Sequence, residues 1–395
     1  HETKGTQHLT PIPLAVIFRA LGVVSDREIV DHVCMGDRAL ESVLRPTIVD
    51  GHRLNGKDLP FDTEGAMQYL GRLTKFRDTK HASQLTKFVR QLLTTDLFPN
   101  MGVVPRDKAR YLGYLANRVL RTALGMAPAI DRDTYMYKRV DTCGVLMADL
   151  FRDFYNELRN HARNGIDREY TTERSAKSAS VAGLVNESNL ARLFPPTFVR
   201  DGFRRSFKGK WGNEQMSRDG VVQELSRLSY IAYVSHVRRV NTPMDRSIKK
   251  VEPHRLDAPQ WGMMCPVESP DGGNIGLLKH MAASCEMSQD LDRTELLRVL
   301  LEECDVVRLG STAAPLSYEH ARVMLNNTWI GTHADPKECV AAVRALRRVG
   351  ALHAFVSVHW DVLENEIRVY GDGGRCVRPT LLLPRGELAS KWDAM

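Results

Sequence analysis

Residues 261–277 read WGMMCPVESPDGGNIGL, and this run is the most informative stretch of the chain. Its centre, residues 269–273, is Ser-Pro-Asp-Gly-Gly. Proline fixes the backbone angle φ, and aspartate and glycine favour tight turns. The run therefore predicts a turn-rich loop rather than a helix or a strand.

The segment before this loop carries the excess positive charge of the chain. Residues 196–256 contain 13 Lys and Arg against 6 Asp and Glu, whereas the remaining residues contain 42 of each kind. Lysine and arginine placed on backbone phosphates release condensed counterions, so such an excess favours nucleic-acid binding. A solvated helix face is the ordinary alternative. The interleaved aromatic residues and glycines favour nucleic acid, because bases stack on aromatic rings.

Two local predictions concern the basic segment and the residues before it. A helix is predicted to begin near Asp219, with one apolar face and an opposite face that holds Gln223, Arg227 and Arg238. Residues 165–182, which precede the basic segment, are polar and are predicted to form a loop or a weakly ordered connector. The basic stretch also contains Lys208, Lys210, Arg246, Lys249 and Lys250.

The two ends of the chain differ in pattern. The first 165 residues show apolar residues mostly at helical spacing. The last hundred predict helices at 292–303 and 336–348 and strands at 328–331, 354–359 and 366–370. We therefore expect a helical beginning and a small α/β unit at the end.

Several classes of protein are excluded or disfavoured. No stretch reaches the ~18 apolar residues of a membrane span, so no membrane partner is expected. The seven cysteines are scattered without zinc spacing, and we interpret all of them as buried, reduced thiols. The carboxylates of Asp131 and Asp133 are better explained by helix capping than by metal binding. His236 is equally consistent with a helix surface and with a basic edge on a nucleic-acid backbone.

Three runs together resemble a known family: MSRDGVVQ at 216–223, SHVRRVNTP at 235–243, and the run at 261–277. They are similar to the fork region of the second-largest, beta-like subunit of multisubunit DNA-directed RNA polymerases, with its signature W-G-x-x-C-P-x-E-T-P-E-G-x-x-x-G-L. Other short runs resemble the lobe and external regions of the eukaryotic, archaeal and large-DNA-virus branch: 17–22, 131–133, 138–141, 329–331, 346–350 and 374–379.

The chain departs from the signature at one turn. Residues 269–272 read Ser-Pro-Asp-Gly where the family usually has Thr-Pro-Glu-Gly, so the acid at Asp271 is shorter by one methylene. Asn-Ile-Gly-Leu at 274–277 is closer to the bacterial form, whereas the lobe is not. A contact made by the usual glutamate would therefore be shifted in this chain.

The resemblance implies an α+β multidomain fold in part of a longer subunit. It has a helical lobe and protrusion portion, a mixed fork domain and a small α/β external domain. The implied ranges are 1–147 for the lobe, 148–199 for a protrusion segment and connector, 200–288 for the fork and 289–395 for the external domain.

The implied function is template-directed RNA synthesis, with the fork holding the RNA–DNA hybrid and the separated DNA strands beside the active centre. The implied nucleic-acid-binding residues are Gln223, Arg238, Arg239, Lys208, Lys210, Arg246, Lys249 and Lys250. The residues implied to lie near the active centre are Glu268, Asp271 and Lys279. No catalytic residue is expected in this chain, which should be inactive when isolated.

The implied partners are the largest subunit and the other polymerase subunits, the DNA template, the RNA–DNA hybrid and nucleoside triphosphates. Catalytic Mg²⁺ would be held by the largest subunit, and no zinc is expected in this segment. The location would be intracellular, in the nucleus, or in a viral factory or virion for a virus. The alternative is a non-enzymatic nucleic-acid-binding or transcription-assembly protein with a polymerase-like fork.

Overall fold

The computed structural model describes residues 11–54, 57–74, 82–175, 185–213, 218–244, 250–311 and 317–378. The chain divides into two compact units, and each unit is built from two separate segments. Unit 1 comprises residues 1–132 and 289–372, and unit 2 comprises residues 133–288 and 373–395. Elements distant in sequence therefore share a unit.

The first segment of unit 1 is helical, as the sequence predicts. Its helices are α1 (Leu14–Ala20), α2 (Asp26–Cys34), α3 (Arg38–Asp50), α4 (Thr63–Arg72), α5 (Ala82–Thr95) and α6 (Pro105–Ala123), with a hairpin of β1 (Arg53–Leu54) and β2 (Lys57–Asp58) after α3. The Asp37 and Asp62 carboxylates accept from backbone N–H groups in the first turns of α3 and α4. These side chains fix where the two helices begin.

The helical core is apolar and closely packed. Phe18, Ile29 and Leu40 are fully buried in it. Helix α2 lies against α6 at Gly113, where an added Cβ would fall 2.4 Å from the carbonyl oxygen of His32. Only glycine allows this approach, because real Cβ contacts are not found at that distance.

The second segment of unit 1 is the small α/β unit. Its helices are α11 (Arg293–Glu302) and α12 (Pro336–Arg348), and its strands are β6 (Val307–Arg308), β7 (Ala321–Leu325), β8 (Thr328–His333), β9 (Ser357–Asp361) and β10 (Glu366–Tyr370). The strand order is β6-β8-β7-β10-β9, and β7 and β10 run parallel while the other pairs are antiparallel. Buried residues of both helices and of the sheet form one apolar cluster.

The predictions for this segment hold at α12 and β10, whose bounds agree with the sequence pattern. The strand expected at 354–359 begins later, at Ser357. Residues 353–356 form a turn instead, because the ring of His353 accepts from the N–H of Phe355 and its carbonyl accepts from Val356.

Unit 2 combines helices with short antiparallel strands. It contains α7 (Cys143–Ser175), α8 (Glu187–Leu193), α9 (Phe198–Phe207), α10 (Tyr230–Val237), β3 (Arg239–Asn241), β4 (Leu278–His280), β5 (Glu286–Met287) and β11 (Cys376–Val377). Strand β3 pairs with β4, and β5 pairs with β11. Leu150, Phe154 and Trp211 are buried together at its helical end.

The loop predicted at 165–182 is wrong over its first part, because α7 continues to Ser175. Packing explains the difference. Ala162 is buried, and an added Cβ at Gly165 would lie 2.5 Å from the side chain of Leu193 in α8. Tertiary contact with α8 thus offsets the weak helical pattern of this polar stretch.

The helix predicted from Asp219 is also wrong, since α10 begins only at Tyr230. Gly220 has a φ of +81°, which a right-handed helix does not contain. The Ser229 hydroxyl accepts from the N–H of Ala232 and sets the start of the helix. The intervening residues form turns and irregular backbone.

The prediction that all cysteines are buried is wrong for three of them. Cys143 is exposed at the first residue of α7, where its neighbours on the helix face solvent, and Cys265 and Cys376 are half-buried. The mixed helix and sheet composition in more than one domain is confirmed. Helix α7 runs through residue 147, the predicted end of the first domain, and the four domain ranges stay predictions.

Candidate nucleic-acid interface

Strands β3 and β4 bring two distant runs of unit 2 together. Arg239 lies opposite His280, and Asn241 lies opposite Leu278. The N–H of Thr242 donates to the carbonyl of Leu277 at 2.9 Å and extends the pairing. The run at 235–243 and the run at 261–277 therefore belong to one local structure.

The turn at 269–276 is closed by its own side chains. The Ser269 hydroxyl accepts from the N–H of Gly276 at 2.9 Å and donates to the carbonyl of Leu278 at 3.3 Å. The Asp271 carboxylate accepts from the N–H of Gly272 at 2.8 Å. The shortened acid at Asp271 is exposed and bonds within the turn.

Glu268 and His280 connect this turn to α10 and β3. The Ser235 hydroxyl donates to the Glu268 carboxylate, and the His280 Nδ1–H donates to the carbonyl of Glu268 at 3.0 Å. The other ring nitrogen of His280 then accepts from Arg239 Nε at 3.2 Å. This chain of hydrogen bonds orients the Arg239 side chain, whose residue is exposed.

The adjacent arginine is used differently. Arg238 is half-buried, and its guanidinium donates to the backbone carbonyls of Ala282 and Cys285, the latter at 3.2 Å. Its own carbonyl accepts from the N–H of Met281. Arg238 thus stabilises the backbone after β4, while Arg239 remains accessible.

Lys279 is buried inside unit 2, with 6% of its surface exposed. Its ammonium donates to the carbonyl of Gly276 and lies 5.1 Å from the centre of the Tyr135 ring. Lys138 lies 5.3 Å from the same ring. Burial, followed by repulsion from Lys138, lowers the pKa of Lys279 to about 8.

The loop that carries Tyr135 is fixed by Asp257. One carboxylate oxygen of Asp257 accepts from the N–H of Tyr135 at 2.7 Å and from the Thr134 hydroxyl at 3.0 Å. Burial raises the pKa of Tyr135 to about 12. Tyr135 is not among the residues predicted from sequence, because its partner Lys279 is more than a hundred residues away along the chain.

Most of the remaining predicted residues are exposed, and two lie outside the part of the chain that the structure describes. Exposed side chains belong to Gln223, Lys208, Lys210, Lys250, Glu268 and Asp271. Arg246 and Lys249 lie outside the described residues. Among the predicted cations that the structure describes, those that are exposed are therefore Lys208 and Lys210 near the end of α9, Lys250 and Arg239.

An apolar surface accompanies these cations. None of the eight residues of α10 is buried. Leu228, Tyr230 and Ile231 are 94%, 81% and 79% exposed. Exposed apolar clusters of this kind are typical of interaction sites rather than of free surfaces.

The donor set of the described residues does not suit a metal. Among residues 11–378, apart from the segments left undescribed, no three His, Cys, Asp or Glu side chains come together as ligands. Within the same described ranges, no helix is both long and apolar enough to cross a membrane.

Comparison with known families identifies the class of protein. Residues 6–141 match RNA polymerase Rpb2, domain 2; residues 223–287 match domain 3; and residues 323–383 match domain 4. The three matches follow the order of the family. The chain belongs to the family of second-largest subunits of multisubunit DNA-directed RNA polymerases.

Individual relatives agree with this assignment. The chain is 31% identical over 390 residues to DNA-directed RNA polymerase II subunit 2 of Arabidopsis thaliana, covering 97% of the chain and 31% of the relative. It is 29% identical over 389 residues to subunit Rpo2 of Sulfolobus acidocaldarius, covering 95% and 32%. The chain spans about a third of the length of the curated relatives that it matches.

Proposed function

We propose that this chain is a portion of the second-largest subunit of a DNA-directed RNA polymerase and takes part in template-directed RNA synthesis. The family matches support the proposal, because residues 6–141, 223–287 and 323–383 match Rpb2 domains 2, 3 and 4 in that order. We assign residues 1–147 to a lobe, 148–199 to a protrusion segment and connector, 200–288 to a fork and 289–395 to an external domain.

One observation carries the role of the fork. Two of the three runs that resemble the fork, 235–243 and 261–277, are brought together by β3 and β4, and the exposed Arg239 lies in that pairing. Exposed lysines at 208, 210 and 250 belong to the same unit. Such side chains hold a nucleic-acid backbone by charge, without reading its sequence. In this proposal they hold the RNA–DNA hybrid and the separated DNA strands.

The chemistry would be nucleotidyl transfer: the 3′-hydroxyl of the growing RNA would bond to the α-phosphorus of a nucleoside triphosphate, with loss of its proton and release of pyrophosphate. Catalytic Mg²⁺ would be held by the largest subunit, as the family resemblance implies. The chain's own residues would bind and orient the nucleic acid. The isolated chain should be inactive.

The partners in this proposal are the largest subunit, the other polymerase subunits, the DNA template and the hybrid. The location would be intracellular, in the nucleus or, for a virus, in its factory or virion. The rival is a non-enzymatic transcription-assembly protein with a polymerase-like fork. Relatives matched over 94–97% of the chain are polymerase subunits, which favours the enzyme.

Site-specific crosslinking tests the proposal. A photoreactive amino acid is placed at Lys210 or at Lys250 in the assembled polymerase, and at Lys337 on α12 as an exposed control. We expect crosslinks from the first two positions to the RNA or to a DNA strand of a stalled elongation complex. Equal, background labelling at all three positions would contradict the proposed fork.

A further inference from the structure

His236 connects two parts of unit 2 that no helix or strand joins. Its Nδ1 lies 3.0 Å from the backbone nitrogen of Ser226, and its Nε2 lies 3.0 Å from the side-chain oxygen of Gln223. The Gln223 amide nitrogen donates to the carbonyl of Gly220 at 2.7 Å. One ring on α10 thus contacts both the backbone and a side chain of the preceding irregular segment.

The donor and acceptor roles follow from these contacts. A backbone N–H can only donate, so Nδ1 of His236 is the acceptor and the ring proton lies on Nε2. The Nε2–H then donates to the Gln223 oxygen, which fixes which end of the amide is nitrogen. The histidine therefore determines the orientation of the Gln223 amide.

The Gln223 nitrogen carries a second hydrogen. Among the described residues no further acceptor for this amide is present, and Gln223 is exposed. The segment 219–229 has no strand pairing or helical hydrogen bonds of its own. Its conformation therefore depends on such side-chain contacts, and on Gly220 with its φ of +81°.

We propose that His236 is a positioning residue, which holds Gln223 so that the second amide N–H is presented to an oxygen of the bound RNA or DNA. The inference rests on the proposed function. It gives His236 a role other than direct contact with a nucleic-acid backbone. His236 itself need not contact nucleic acid, because both of its ring nitrogens are occupied within unit 2.

Two conservative substitutions separate the two contacts of the ring. His236→Gln keeps an N–H donor near the position of Nε2, so it can still orient Gln223. His236→Asn keeps an acceptor near Nδ1, so it can still bind the N–H of Ser226 but cannot reach Gln223. If His236 had only a structural role, the substitutions His236→Gln and His236→Asn would have equal effects.

The test measures the lifetime of elongation complexes formed by the assembled polymerase. We expect His236→Asn and Gln223→Ala each to shorten the lifetime about 2- to 10-fold, the range of one neutral hydrogen bond. The double variant should be no worse than either single variant, and His236→Gln should stay near the unsubstituted enzyme. Additive effects, or equal losses for His236→Gln and His236→Asn, would overturn the proposal.

A second readout separates this inference from the proposed function. Because the amide is neutral, Gln223→Ala should leave the salt dependence of the lifetime unchanged, whereas Arg239→Ala should reduce it. If Arg239→Ala shortens the lifetime and Gln223→Ala does not, the positioning role is wrong and the fork stands. If neither substitution changes the lifetime, the proposed function fails as well.

Discussion

At the scale of single residues, two neighbours in the chain show what sequence alone cannot distinguish. Arg238 and Arg239 have the same chemistry, and the family resemblance implies nucleic-acid binding for both. In the structure Arg238 binds the carbonyls of Ala282 and Cys285, whereas Arg239 is exposed and bonds only to the ring of His280 among the described residues. Arg238 is the C-cap of helix α10 and Arg239 begins strand β3, so the boundary between these two elements separates their roles.

Gly276 gives a prediction at the same scale. Its φ is +69°, and an added Cβ would lie 2.2 Å from the carbonyl oxygen of His254. Gly272 has a similar φ of +79° with no atom within 4 Å of an added Cβ. We expect Gly272→Ala to cost about 1 kcal/mol through backbone strain alone, and Gly276→Ala to cost clearly more.

Hydrogen exchange of nearby backbone amides measures this difference. The N–H groups of Thr242 and Cys265 donate to carbonyls around the turn. Their exchange should accelerate more in Gly276→Ala than in Gly272→Ala. Equal acceleration in the two variants would show that the approach of the His254 carbonyl does not constrain the turn.

Lys279 gives a prediction about pH. Burial lowers its pKa to about 8, below the ordinary lysine value of 10.5. Between these values the unfolded chain binds more protons than the folded chain, so this group makes the free energy of unfolding rise with pH. Below about pH 8 both states are protonated, and its contribution is constant.

The comparison is between the chain and Lys279→Met, by urea denaturation from about pH 7 to 10. We expect the stability of the unsubstituted chain, relative to the variant, to be flat up to about pH 8 and to rise above it. Groups shared by both proteins cancel in this difference. A difference that stays flat over the whole range would contradict the burial of a charged ammonium at this position.

At the scale of elements, Lys108 shows how the end of one helix can be capped by a side chain of another helix. It lies on α6 and is fully buried. Its ammonium donates to the carbonyls of Leu93, Thr94 and Leu97 at 3.0, 2.7 and 2.5 Å. The carbonyls of Leu93 and Thr94 lie in the last turn of α5, where helical partners are missing, and that of Leu97 lies just beyond the helix. A lysine of α6 therefore caps α5.

Replacing this lysine should destabilise unit 1. We expect Lys108→Met to lower the free energy of unfolding by about 3 kcal/mol, because it leaves buried carbonyls without donors. Lys87→Met on the exposed side of α5 is the matched control and should have little effect. Chemical denaturation checks both variants, and equal midpoints would exclude the capping role.

The sequence pattern predicts some of the helices and strands correctly and fails for the ends of others. Helix α12 and strand β10 are predictable because their apolar residues repeat at helical and alternating spacing, which local physics dictates. The end of α7 is not, because residues 165–175 are polar and their helix is stabilised by contact with α8. The start of α10 depends on the positive φ of Gly220 and on the Ser229 cap. The sequence pattern does not predict this start, because the apolar spacing extends further towards the N-terminus than the helix does.

At the scale of the whole molecule, chain order and spatial order differ. In unit 1, Arg322 of β7 is buried between the rings of Tyr114 of α6 and Tyr318, at 5.4 and 5.0 Å. It also lies 3.3 Å from the Glu366 carboxylate. This cluster connects the early helices with the late sheet. No periodicity within one segment could predict it, because Tyr114 is far from the other members along the chain.

The sequence predicts the candidate interface in outline, because charge and motifs are local features. It does not predict the details, because these depend on tertiary contacts. The local charge excess and the run at 261–277 are visible in the sequence, and together they predict a nucleic-acid surface. Which cations are accessible depends on tertiary contacts, as Lys279 shows. The role of His236 stays open in the sequence because its two partners lie in a segment of irregular backbone.

In the proposed function, the exposed lysines at 208, 210 and 250 hold nucleic acid in the assembled polymerase. The direct measurement is the salt dependence of elongation-complex dissociation for Lys208→Ala/Lys210→Ala/Lys250→Ala. The control Lys337→Ala/Arg344→Ala/Arg348→Ala removes the same charge from exposed positions of α12. We predict that only the first variant lowers the slope against log salt, by about 0.7–0.9 for each phosphate that is no longer neutralised. Equal slopes for both variants and the unsubstituted enzyme would contradict the claim.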